Sequence, residues 1–520
     1  MLFTSLTIMS SFRRSLSGAL SLSATAVLAV AAQQSTPCPP RTAQPILAQA
    51  GAPCPSALTL QDAITLAAKQ GPAASAARSA LAEARARDRA FSARLLPQIQ
   101  LQGDVANYNH AVVPVFLQTG ETVFAPQSQN ESYMGVSVTQ ALPWLGGSLK
   151  VTSLLDRLDQ TSDAGSGSVA HRTWKSTPFQ IEIDQNLFQP REQLWDTRAQ
   201  SLRSSVAERV YLEQREDIAA STASAFFDYY AATVALQNAT ANAAVNDTLY
   251  TLNKGRYEVG KIGENDLLAS ELALLNARAA VDGARLERDR SESALRRLIN
   301  VHSPDTLAIV APNQVPTIEA DPEVAVHEAL RNASLMQQTE LDSVNAKRSE
   351  TEARFRNGFT ASLGAGYGMN QTSTLFGTAY ASPLPQQKFH LGVTMPFFQW
   401  GGGRADVQAA RAEQARVAST SRQRREELTE DARYAALQLT QSLRQLAISA
   451  KADTVASKRF EVAKNRYVIG KIGISDLFIA QNEKNQALTA YIQSLRSVWT
   501  GYYHLRRVTL YDFATKTELQ

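Results

Sequence analysis

Cysteine is almost absent: the 520 residues hold two, Cys38 and Cys54, both in a proline-rich leader. No disulfide framework can therefore hold the rest of the chain. If the chain is exported, these two can pair as one local disulfide; the alternative is two idle thiols. Neither follows the small apolar residues expected of a lipid-attachment site. Histidine is also scarce. His110, His171, His302, His327, His390 and His504 are scattered without metal-ligand spacing. No nucleophile–base pairing is readable, and no GxxxxGK[ST] loop is present. "PWLGG" (Pro143–Gly147) and "WGGGR" (Trp400–Arg404) read as turns, because no strand–loop–helix nucleotide unit surrounds them. These absences leave no case for an enzyme, a metal site or a cofactor.

A strong charge of either sign is missing too. The formal net charge is +4, and +2 without Arg13 and Arg14. Nothing in that balance calls for nucleic acid. Long apolar runs are missing beyond Leu16–Ala32, so no later segment reads as a membrane-spanning helix. That one window follows Arg13 and Arg14 and ends in Val30-Ala31-Ala32. Such an order reads as a secretory signal peptide, with a retained N-terminal anchor as the alternative.

What is there is a repeat. "RYEVGKIGENDL" (Arg256–Leu267) returns 210 residues later as "RYVIGKIGISDL" (Arg466–Leu477), with eight of twelve positions identical. "FQIEIDQNLFQ" (Phe179–Gln189) and "FHLGVTMPFFQ" (Phe389–Gln399) keep the same spacing. Upstream, "DAITLAAKQ" (Asp62–Gln70) matches "EVAVHEALRN" (Glu323–Asn332) at an offset of 262, so the first unit carries about 50 residues more. A period this long points to one architecture written twice.

Each unit repeats one order of patterns. An alanine-rich helix comes first, over Leu60 to about Ala93 and Glu323 to about Arg356. Alternating runs follow, such as Phe179, Ile181 and Ile183 against Gln180, Glu182 and Asp184. Period-two alternation predicts a sheet with one apolar and one polar face. A proline-free helical stretch then runs from about Arg191 to Lys254, and from about Arg404 to Arg466. Each would reach on the order of 90–100 Å. Apolar residues at three- and four-residue steps suit coiled-coil packing. The repeated turns end these helices. Gly260, Gly263, Gly470 and Gly473 suit positive φ and a tight turn. Asn265 and Ser475 are N-cap types, and Asp266 and Asp476 fall in the next first turn. Each repeated stretch is thus the expected tip of a long antiparallel helical hairpin.

Export, two-faced strands and polar coiled hairpins suit an outer-membrane β-barrel continued by helices. One chain has too few strands for a wide channel, and several copies sharing a barrel would leave no open edge. On the duplicated layout, the opening "LTLQDAITLAAKQGP" (Leu58–Pro72), both turns and the long Ala-, Gln- and Arg-rich helices, the chain resembles the TolC-like outer membrane efflux family. The resemblance covers nearly all of it after the leader. It implies an α+β, mainly α fold: coiled-coil hairpins forming a trimeric α-barrel tunnel, capped by a shared transmembrane β-barrel. The implied layout is a signal peptide at 1–32 and a Pro/Ala-rich linker at 33–57. A first efflux repeat spans 58–300, with strands about 97–188 and a hairpin about 191–300. An equatorial connector spans 301–322. A second repeat spans 323–511, with strands about 357–400 and a hairpin about 404–511. A tail at 512–520 completes it.

The implied function is a passive outer-membrane conduit with its tunnel in the periplasm. It would export small molecules handed over by a periplasmic adaptor (membrane fusion) protein and an inner-membrane pump. An outlet for type I protein secretion is the alternative within that class; a pore-free periplasmic coiled-coil scaffold is the alternative outside it. The resemblance makes Tyr467 and Asp476 the gate candidates, three aspartates forming a ring that favours cations. Ile479 stands where many relatives have a second acid. Tyr257, Gly260, Lys261, Gly263, Asp266, Gly470, Lys471 and Gly473 are the adaptor-docking candidates. The bland reading is that both aspartates only stabilise helix starts and both tyrosines only pack. The extra residues hold two more strand patterns, Tyr133–Leu142 and Gly147–Leu155, and a Gly/Ser loop, Asp163–Ser168. A trimer would then close 12 strands with this hairpin outside, as the family pattern favours, or 18 with it inside.

Overall fold

The computed structural model describes residues 58–116, 120–163, 168–302, 306–310, 312 and 318–519. They fall within one unit, Pro55–Gln520. The expected signal peptide, linker and cysteine pair lie outside them. Short strand β1 (Leu58–Thr59) leads into helix α1 (Leu60–Gln70), which is started by a capping box between Thr59 and Asp62. Leu60, Ala63, Ile64 and Ala67 make its buried stripe.

The helix expected from Leu60 to about Ala93 is two helices, α1 and α2 (Pro72–Arg94). Pro72 has no N–H to continue α1, and it holds Gly71 extended at ψ 146°. A side chain at Gly71 would meet the Leu298 carbonyl, 2.7 Å from an ideal Cβ. The second half breaks at the same place without a proline, at Ala333. There the reason is tertiary. Glu213 accepts from the Ser334 N–H and Oγ, both at 2.8 Å, and so caps the start of the following helix. Arg209 donates to the Arg331 and Asn332 carbonyls at the end of the preceding one.

Four long strands follow α2: β2 (Gln98–Phe116), β3 (Thr122–Leu142), β4 (Gly147–Asp163) and β5 (Ser168–Leu187). They are far longer than the short runs that alternation marked, because bulges and polar outer segments hide the period. Helices α3 (Glu192–Glu258) and α4 (Glu264–Ile299) form the first hairpin. After β6 (Ile309–Val310), which pairs in parallel with β1, the order recurs. It runs α5 (Pro322–Asn332), α6 (Ser334–Arg356), β7 (Thr360–Ser373), β8 (Leu384–Thr394), α7 (Gly402–Val468) and α8 (Ile474–Thr509). β9 (Tyr511–Asp512) and β10 (Thr517–Glu518) close the chain. Corresponding helices match in length: 11 residues for α1 and α5, 23 for α2 and α6, 67 for α3 and α7, 36 for α4 and α8.

All six long strands form one antiparallel sheet in the order β2-β3-β4-β5-β7-β8. The extra hairpin β3–β4 therefore sits inside the sheet, hydrogen-bonded on both sides. Below the sheet, α2, α3, α6 and α7 pack in that order as one layer. Farther along, the layer order is α4-α3-α8-α7. The main core lies mid-hairpin, around Phe226, Phe227, Tyr229, Leu295, Ile299, Leu439, Val498 and Leu505. Each such side chain stabilises by about 1.5–3 kcal/mol when fully buried.

Candidate functional site: hairpin tips, sheet faces and a buried ion network

The two tips have one backbone. Gly260 and Gly470 adopt φ of +71° and +74°, which only glycine takes freely. Lys261 N–H donates to the Arg256 carbonyl at 2.8 Å and Lys471 N–H to Arg466 at 2.9 Å; Gly260 and Gly470 donate to Tyr257 and Tyr467. These two bonds, with a left-handed glycine just past the helix, make a Schellman motif that satisfies the last carbonyls. Gly263 and Gly473 do not share the positive φ. They are extended N-caps, at φ −80° and −76°. Asn265 and Ser475, expected as caps, are instead the second residues of their helices. Asp266 and Asp476 do lie in the first turn, exposed and without an ion pair among the described residues. Lys261 and Lys471 are exposed as well, and Ile479 is 52% exposed.

The side chains separate the tips. Tyr257 is 41% exposed, while Tyr467 is 5% exposed and packs with Leu249 and Leu477. The Tyr467 hydroxyl lies 3.5 Å from Asn253 Oδ1, and the Arg256 guanidinium sits 5.9 Å from its ring centroid. The second tip is thus held against α3 of the first hairpin. Asn253 and Arg256 were not singled out in the sequence; Arg256 belongs to the repeated stretch, but only packing selects it.

The sheet has two chemically distinct faces. Ile99, Val138, Val151, Ile181 and Tyr367 align in register on one, and Phe389 joins that face on β8. Gln98, Thr139, Lys150, Glu182, Gly366 and Lys388 align on the other, with Lys388 Nζ 3.4 Å from Glu182. Along β4 the apolar band runs from Leu149 to Leu155, about 20 Å. Beyond it come Arg157 and Asp159 on the same strand face. Arg157 lies over the Trp174 ring at 5.6 Å, and Trp174 meets Phe376 at 5.2 Å. At the other end, exposed Phe188 and Phe359 pair at 5.3 Å, and Phe398 and Trp400 at 4.6 Å. Aromatic residues therefore bound the band on both sides.

A buried ion network ties the base of the second hairpin. Arg506 on α8 meets Glu216 on α3 at 3.0 Å and Asp512 at 3.5 Å, and Tyr502 donates to Asp512 at 2.6 Å. Burial pushes the Glu216 carboxyl up against the pull of Arg506, and pushes the Tyr503 hydroxyl up to about 12. Burial also opposes ionisation of Asp512. The Tyr502 hydrogen bond, the Ala514 N–H and Arg506 outweigh it and hold that carboxyl below its usual value. Among the described residues no cluster could hold a metal ion, and no helix is long and apolar enough to cross a membrane.

The family model for the outer membrane efflux protein matches residues 325–509, which run from α5 to the end of α8. That segment is similar to the outer membrane efflux protein family. The efflux-protein likeness extends to the fold of the whole described chain. The CmeC outer membrane channel of Campylobacter jejuni superposes with a TM-score of 0.62 at 16% identity, over 86% of this chain and 85% of that one. The outer membrane protein VceC of Vibrio cholerae gives 0.61 at 13% identity, over 87% and 96%. The open state of the MtrE outer membrane channel of Neisseria gonorrhoeae gives 0.58 at 16% identity, over 89% and 90%. A comparison with curated protein sequences finds no match.

Proposed function

We propose that three copies of this chain form a passive conduit through the outer membrane and periplasm for small molecules delivered by an adaptor and a pump. The observation that carries the reading is a pair of uncovered stripes at the two edges of the coiled layer. On α7, Ile448, Val455 and Val462 recur every seven residues and are 63%, 54% and 56% exposed. On α4, Leu268, Leu272 and Leu275 are 55%, 60% and 56% exposed. Both stripes lie near the tips, on the outermost helices of the layer α4-α3-α8-α7. Packing α7 of one copy on α4 of the next repeats the contact that α8 makes with α3, and repetition closes a ring.

The sheet fits the same ring. Its apolar face suits lipid, its polar face suits water, and aromatics at both ends of the band suit the two interfaces. In this reading Asp476 lines the constriction at the second tip. Tyr467, Asn253 and Arg256 hold that tip shut. Tyr257, Gly260, Lys261, Gly263 and Asp266, with Gly470, Lys471 and Gly473, face the adaptor. Conductance of the purified protein in planar bilayers tests it. Wild type prefers cations, and Asp476→Ala loses the preference. An unchanged preference removes Asp476 from the constriction, and no conductance from either protein sinks the conduit.

A further inference from the structure

We infer that the β3–β4 hairpin is part of the pore wall, so that three copies pairing β2 with β8 close an 18-stranded barrel; this rests on the trimeric conduit above. The first support is continuity. β3 pairs with β2 and β4 with β5 along nearly their whole lengths, so the hairpin cannot leave the sheet without breaking both ladders. Both faces also run through it unbroken: Val138 and Val151 continue the apolar row, Thr139 and Lys150 the polar one. A hairpin outside the barrel would have no use for a water-facing row on one side and a lipid-facing row on the other.

The second support is the edges. Apolar side chains on the outer strands are more exposed than their central counterparts: Ile99 and Phe389 both 73%, against 41% for Ile181 and 43% for Ile183. The strands that would cover them are the opposite edges of neighbouring copies, which also satisfies the unpaired backbone groups of β2 and β8.

The third support is width. Four helices of each chain, α2, α3, α6 and α7, connect directly along the chain to its six strands, so three copies lead 12 helices into 18 strands. Twelve helices about 9–10 Å apart make a ring of about 110 Å circumference. Eighteen strands about 4.8 Å apart and tilted about 40° also make about 110 Å. With the hairpin in the wall, the strand barrel continues the helical bore at the same diameter, about 36 Å. The mouth then passes any cargo that the tips admit.

Two experiments decide it. Single-particle imaging of the full chain in lipid nanodiscs is expected to count 18 strands, six per copy. Twelve strands with the hairpin outside overturns the inference while leaving the conduit intact. The second uses full-length point variants in a Cys38→Ser, Cys54→Ser background, reconstituted in vesicles and treated with a charged, water-soluble thiol reagent. Lys150→Cys and Thr152→Cys, on the polar face, are expected to react; Leu149→Cys and Val151→Cys, on the apolar face, are not. Equal labelling at all four positions overturns the hairpin's place in the wall. Failure of the protein to insert at all overturns the conduit and the inference together.

Discussion

The two hairpin tips share a turn sequence and a backbone, yet one tyrosine is buried and the other is not. Tyr467 packs against α3 of its own chain. Tyr257 has no hairpin of the same chain on its α4 side and stays 41% exposed. At the hairpin bases, the two matching arginines each have an ion pair to a different acid. Arg296 and Arg506 occupy matching positions at the ends of α4 and α8. Arg296 bonds Glu292 on its own helix at 2.7 Å, whereas Arg506 reaches Glu216 on α3. What repeats is local conformation; what differs is the neighbour. The second hairpin is completed inside the chain, while the first presents surfaces that another copy would complete.

Breaking that difference should begin at the exposed stripes. Leu268→Glu places a charge where α4 is to meet α7 of the next copy, at the position matching Phe478, which packs in the Leu249–Tyr467 cluster, so the trimer is expected to give way to monomer in sedimentation velocity. Asn482→Glu, at an exposed position on α8, should leave the assembly intact. Next in size, Tyr467→Ala should cost about 4 kcal/mol in denaturant unfolding, as buried aromatics do. Tyr257→Ala, at an exposed position, should stay within about 0.5 kcal/mol in the monomer. If both tyrosines cost the same in monomer, the tips do not differ as described.

At the bases, Glu216→Ala should cost about 3 kcal/mol because it leaves the Arg506 charge buried with only Asp512. Asp512 adds a pH signature. Its carboxyl is held below the ordinary value of 3.8. Its contribution to stability is therefore present above that value and lost as pH falls through the lowered one. A melting series in acid should show that loss in wild type and not in Asp512→Asn. The smallest effect concerns the tips' charges. Asp476→Ala should alter ion preference, and Asp266→Ala should not.

Local features were legible in the sequence where one physical cause acts alone. The left-handed Gly260 and Gly470 follow from the repeated turn. The proline-free, three-and-four spaced segments correspond to α3 and α7. Pro72 marks the break between α1 and α2, though the composition around it masked that break. Ala333 carries no such mark, because the break there depends on Arg209 and Glu213 from another helix. The ladders of β2 to β5 were read short. Polar outer segments, such as Gln127–Ser132 on β3, carry little alternation, and pairing with neighbours holds them as strands.

By itself, the sequence determined the periods: two for the sheet faces, three-and-four for the hairpins, and one turn written twice. Those depend on residue type and spacing, which need no partner. Only tertiary structure decided that β3 and β4 lie within the sheet, that Tyr467 is buried and Tyr257 is not, and that Arg506 reaches across to Glu216. Each of those depends on which distant surface arrives, and identical local sequences cannot distinguish their neighbours.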